Sequence, residues 1–232
     1  MSLLSVLALG LFLGMRHATD ADHVVAMTTL VTRQRNTRAA ALLGALWGAG
    51  HGLTLLVVGG AIILLGVAVP PRLGLALELG VGLMLIALGV INLRSTTRHL
   101  RHAHDHAVAH PAAVDGAPAR GFRSFVIGVV HGLAGSAAIA LLVLSTIRDT
   151  GWAFLYLGFF GVGTVAGMML LTMLLSVPLA AATRRFGGGE GNVERWLGSV
   201  TGALSVAFGL FLVYQIGFVD GLFGAAPTWD PH

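Results

Sequence analysis

The sequence has no cysteine and no lysine, and only 10% of its residues are charged. Without cysteine there is no disulfide, no thiolate metal site and no dithiol relay, so a membrane thiol-electron carrier is excluded. Soluble domains carry roughly a quarter charged residues. A chain with 56% hydrophobic residues and so little charge falls outside that class and reads as an integral membrane protein. Its net charge of +4 comes entirely from arginine, which could suggest nucleic acid, but the arginines are not laid out as a binding patch. Eleven of the fourteen fall in three short segments: Arg33, Arg35 and Arg38; Arg94, Arg98, Arg101, Arg120 and Arg123; Arg184, Arg185 and Arg195. That is the positive-inside distribution of a polytopic chain, and no nucleic-acid partner is expected. The first apolar run has no basic lead-in and no convincing cleavage site, so it is expected to stay as the first span.

Six apolar segments reach the roughly 20 residues needed to cross a bilayer: Leu3 to Val31, Ala39 to Val69, Leu73 to Leu93, Phe122 to Ile147, Trp152 to Ala182 and Trp196 to Phe218. The first, third and fifth connections hold the arginines, which places them in the cytoplasm and both termini outside a plasma (bacterial inner) membrane. Pro70 and Pro71 make the second connection a tight turn, and Pro178 is expected to kink the fifth span. The long connection from Arg94 to Arg120 is hydrophilic, carries His99, His102, His104, His106 and His110, and has no apolar period. It reads as a mobile cytoplasmic loop that gathers metal loosely or is a solvated linker. The two halves repeat at an offset of 113 to 120 residues. Gly14 and His17 align with Gly128 and His131, Gly48 to His51 with Gly161 to Thr164, and Gly82 and Gly89 with Gly202 and Gly209. Three spans per half inverts the second half against the first. The expected fold is therefore all-α, six transmembrane helices in two inverted three-helix repeats, with any site at the midplane between them. The division is residues 1–93, a His-rich loop 94–121, residues 122–223 and a tail 224–232.

Chemistry concentrates in Gly14-Met15-Arg16-His17-Ala18-Thr19-Asp20-Ala21-Asp22-His23, five ionisable groups in the middle of a run that should cross lipid. Each is costly at that depth, so together they mark a functional site. On a regular helix His17, Asp20 and His23 share a face, with Arg16 on the same side, and Asp22 points elsewhere. Either the helix is broken here or Asp22 serves another neighbour. The second span adds His51 between Gly50 and Gly52, and the fourth adds His131 beside Gly132. Glu78 lies nearer the outer end of the third span, where a structural or entrance role is expected. Imidazole and carboxylate without sulfur suit nickel, cobalt or zinc. The structural alternative is a buried ion-pair network, Arg16 to Asp20, that only holds helices together. A membrane metalloenzyme is set against the small number of membrane histidines, four in all.

The run His17, four residues, Asp22-His23 strongly resembles the signature of the nickel/cobalt transporter family, and Gly50-His51 is similar to that family's second motif. The resemblance covers most of the chain. It implies a permease, not an enzyme, whose metal-selecting site is His17, Asp22, His23 and His51, with Asp20 and His131 as further candidates. Six spans, and His131 to Ser136 in place of the acidic motif many members carry, are similar to the short urease-associated branch of high-affinity nickel permeases. The expected function is import of Ni²⁺, and Co²⁺ as second cargo. The ion is substrate, no permanent cofactor is expected, and nickel chaperones of urease or hydrogenase maturation are the expected protein partners. Because a histidine-rich loop also occurs in the efflux branch, an exporter of the same fold is the alternative. Metal competes with protons for imidazole, so uptake should weaken below about pH 6.5.

Overall fold

A computed structural model of the chain describes residues 2–32, 34, 36–65, 70–102, 117–133, 147, 149–186, 192–224 and 227. The regular elements among them are helical: α1 (Leu3–His17), α2 (Ala21–Val31), α3 (Thr37–Leu65), α4 (Pro71–His102), α5 (Ala117–Leu133), α6 (Thr150–Phe186) and α7 (Asn192–Tyr214), which ends in a π-helical turn, Gln215–Val219. Among the described residues, four stretches are long and apolar enough to cross a membrane: Thr37–Leu65, Pro71–Thr96, Thr150–Ala182 and Arg195–Val219. The pair α1 and α2 passes the same test as one span bent by 59°. Outward-facing Leu56, Val57, Leu64 and Leu65 on α3 and Leu170, Leu174 and Val177 on α6 are exposed, as lipid-facing side chains must be, since tails and side chains are equally apolar. This is the make-up of a membrane protein.

In lipid, burial of apolar surface does not drive helices together, so small residues that let backbones approach do much of the work. A Cβ at Gly14 would overlap the Phe160 carbonyl of α6, and one at Gly128 would overlap the Trp47 carbonyl of α3. Likewise Gly163 sits on the Leu11 carbonyl and Gly50 on that of Phe125. These contacts run α1 parallel to α6 and α3 parallel to α5. Gly48 on Val165 and Gly59 on Leu157 run α3 antiparallel to α6. Helices α4 and α7 also cross antiparallel. A Cβ at Gly82 would stand 3.1 Å from the Gly209 carbonyl oxygen and one at Gly202 3.1 Å from that of Gly89; in the reverse direction both distances are 2.6 Å.

One sequence expectation changes in detail, and one open choice closes. The first span is a broken helix, one of the two readings left open by the sequence. The segment 94–121 is helical at both ends, because α4 continues to His102 and α5 begins at Ala117. No glycine or proline interrupts residues 94–110, so nothing stops the helix at the apolar boundary. Pro178 lies inside α6 without ending it. The turn at Pro70 and Pro71 is present as the start of α4, whose first amides, Leu73 and Gly74, donate to the Pro70 carbonyl. Residues 103–116, with His104, His106 and His110, and residues 134–146, the second half of the fourth expected span with Ser136, lie outside the described residues.

Candidate metal centre

The break between α1 and α2 builds the site. Helix α1 stops at His17 and tightens: Thr19 N–H donates to the Arg16 carbonyl at 2.9 Å and Asp20 N–H to the His17 carbonyl at 3.1 Å. The Thr19 hydroxyl also donates to the Arg16 carbonyl, at 2.6 Å. Asp20 stands at the N-cap position of α2 in extended geometry, yet its side chain makes no capping bond. Its carboxylate instead meets Nδ1 of His17 at 2.9 Å. Room for the bend comes from α6, where Gly167 faces Met15 and Ala18. The negative end of the α1 dipole therefore points into the bundle, where it favours a cation.

Restarting the helix at Ala21 turns Asp22 inward. Its Oδ1 accepts from the backbone N–H and Nδ1 of His23, both at 2.9 Å, and its Oδ2 meets Nε2 of His131 on α5 at 3.0 Å. His51, the middle residue of the 29-residue α3, meets His17 with Nε2 to Nε2 at 3.0 Å. Four imidazoles from α1, α2, α3 and α5 thus collect with neighbouring ring centroids 4.3 to 5.7 Å apart. His17 is 5% exposed and the other three 0 to 1%.

A carboxylate only accepts hydrogen bonds, so Nδ1 of His17 and of His23 are donors; the Nε2 lone pair of His23 is then unpaired, and that of His17 accepts from Nε2 of His51. Nε2 of His131 is likewise the donor to Asp22. Nε2 of His23, Nδ1 of His51 and Nδ1 of His131 have no hydrogen-bond partner among the described residues. Two combinations place ligand atoms within 4.8 Å of one another: His17, His23 and His51, and Asp22, His23 and His131. The first is an all-imidazole set. Two nitrogens about 2.1 Å from an ion and at right angles are about 3.0 Å apart, the spacing of His17 and His51. In the second, the three groups are already joined by hydrogen bonds.

All six sequence candidates, His17, Asp20, Asp22, His23, His51 and His131, come together. Arg16 is exposed, and among the described residues no ion pair joins it to Asp20, so the Arg16–Asp20 network set out as the structural alternative does not form there. Glu78 is half-buried on α4 and belongs to neither ligand group. Sequence reasoning missed two aromatic residues. Phe160 lies against His17 at 5.6 Å, and Trp47 stacks on His23 at 6.3 Å and meets His131 edge-on at 5.4 Å. The signal was present: Trp47 is one turn before His51 and aligns with Phe160 at the repeat offset of 113.

No protein-family model matches the chain, and no solved structure matches it. Among curated proteins, urease accessory protein UreH of Bacillus sp. (strain TB-90) is 36% identical over 225 residues, covering 95% of this chain and 96% of that protein. With identity at that level running nearly end to end through both proteins, the chain belongs to the UreH family of urease accessory proteins.

Proposed function

We propose that the chain is a secondary transporter that imports Ni²⁺, with Co²⁺ as second cargo, through the histidine cluster, and that it supplies a urease. The observation that carries this reading is the fully buried His23 imidazole, whose Nε2 is unpaired beside His17 and His51. A buried polar atom without a partner is disfavoured and normally absent from a folded core; one that faces two further imidazoles suits a cation. The ion sheds water onto Nε2 of His17, His23 and His51. Asp20 and Asp22 hold the opposite ring nitrogens, fix the tautomers and add negative charge, the usual arrangement behind metal-binding histidines. Asp22 and His131, the remaining candidates, then act beside the ion rather than as its first partners. The nickel/cobalt transporter resemblance points to nickel, and the relative's urease-accessory name supports delivery to a urease.

In this reading the fold has six spans in two inverted halves. Support comes from paired contacts: Gly14 on Phe160 answers Gly128 on Trp47, Gly163 on Leu11 answers Gly50 on Phe125, and the equal distances of the α4–α7 glycines repeat the pattern. The arginine distribution puts both termini outside the plasma membrane (the inner membrane of a bacterium) and the His-rich connection in the cytoplasm. There a nickel chaperone of urease or hydrogenase maturation meets the released ion.

Uptake of labelled nickel by cells expressing wild type, His17→Ala and His51→Ala, with cobalt as competitor, tests this. An importer raises cell-associated nickel, both variants lose nearly all uptake, and cobalt competes. A fall in cell nickel on expression identifies an exporter, and full activity in His17→Ala removes that residue from the site.

A further inference from the structure

The histidine cluster is held between two aromatic rings. On one side Phe160, 2% exposed, lies against His17. One turn earlier Tyr156 approaches it at 6.3 Å and packs with Val6 and Ala153. On the other side the fully buried Trp47 covers His23 and His131 and packs with Met27, Leu85 and Met168. Helical side chains lean toward the N-terminal end of their own helix. Helix α6 enters from the face where the chain begins, since it runs parallel to α1, and α3 enters from the face of the first arginine-bearing connection. Phe160 therefore leans to one face and Trp47 to the other. Each is ten residues from the start of its helix, about 15 Å at the α-helical rise, which is half of a typical hydrocarbon core.

We infer that Phe160 and Trp47 are the two alternating closures of the histidine site, Phe160 toward the face of the N-terminus and Trp47 toward the arginine-rich face. The inference rests on the transporter reading and extends it to the route of the ion. Because the four histidines are 0 to 5% exposed, the state described is shut on both sides, and an ion arriving from or leaving to either face must displace one ring. Both rings touch imidazoles directly, so a ring cannot move without altering the packing of a ligand. Ligand exchange and opening are thereby linked. Each closure carries a buried donor without a hydrogen-bond partner among the described residues, Nε1 of Trp47 on one side and the hydroxyl of Tyr156, packed against Phe160, on the other. An unpaired buried donor is disfavoured, and movement of either ring toward its aqueous face supplies that partner.

The absence of cysteine makes the test direct, since a single introduced thiol reports alone. Thr164→Cys places it on α6, one turn beyond Phe160 and beside Gly14, at a fully buried position that aligns with His51. The readout is the modification rate by a membrane-impermeant maleimide, added from each face of oriented proteoliposomes. Phe160→Ala should speed labelling roughly tenfold from the N-terminal face alone, and Trp47→Ala by a similar factor from the arginine-rich face alone, because each frees a state of low population. Acceleration from both faces alike, from the opposite face, or from neither overturns the inference. Phe160→Leu and Trp47→Phe, required to keep the parent melting temperature, are run beside the alanine variants. They must show the same sidedness at smaller amplitude, and its absence also overturns the inference. Nickel uptake by the same vesicles separates the two levels. Sided labelling without nickel transport contradicts the function alone, whereas transport with unsided labelling contradicts the closures alone.

Discussion

Two buried polar clusters among the described residues are built on opposite principles. Where α2, α4 and α7 meet, Asn92 donates to the Gly198 carbonyl at 3.0 Å and to the Thr201 hydroxyl at 3.2 Å. The Thr32 hydroxyl donates to that of Thr201 at 3.2 Å, and Ser205 to the Leu85 carbonyl at 2.8 Å. None of these side-chain atoms is left without a partner. At the histidine cluster, by contrast, His23, His51 and His131 each keep one ring nitrogen unpaired. A satisfied network in low dielectric holds helices in register, and an unsatisfied one stores a cost that a ligand can remove. In the proposed reading the first cluster is an adhesive and the second a receptacle, although both are buried and polar.

Substitutions should separate the two. The largest effect is expected from His23→Ala, which removes one of three donors. Nickel affinity of the purified protein, by titration calorimetry, should fall roughly 100-fold or more, while the melting temperature without metal holds or rises. A clear drop in that temperature would make His23 a structural residue like Asn92. Next is Asp20→Asn, which keeps the ligands but weakens the hold on His17. The same titration should show a loss of roughly 10- to 100-fold, the usual size for a residue behind the metal ligand, and an unchanged affinity would remove Asp20 from the site. Asn92→Leu belongs to the other cluster. It should cost about 1–2 kcal/mol of stability by stripping the donor from Gly198 and Thr201, read as a lower denaturation midpoint, with nickel affinity unaltered. Smallest is Thr32→Val, about 1 kcal/mol on the same scale and again no change in affinity. If either hydroxyl or amide change weakened nickel binding, the contrast between the clusters would fail.

The residues that gather in the candidate site were legible because each group is expensive in lipid: ionisable side chains packed between His17 and His23 are costly there unless used. Their roles were not legible. Whether Asp22 faces the cluster depends on a 59° bend whose space is supplied by Gly167, 149 positions after Ala18. Whether it ligates or supports depends on His131 arriving from α5. Apolar run lengths marked the described spans well, since hydrophobic length is a local property. They misplaced the end of α4, because a helix ends at a breaker or a cap, not where hydropathy falls. The closures escaped notice since Phe160 and Trp47 look like any buried aromatic until their contacts with imidazoles are seen.

The most direct test of the central claim is X-ray absorption at the nickel edge of the purified, nickel-loaded protein. A first shell of nitrogen with the outer-shell scattering of about three imidazoles is expected, and that signature should weaken in His51→Ala. An oxygen-only shell without imidazole scattering, or no stoichiometric nickel at all, would contradict the account.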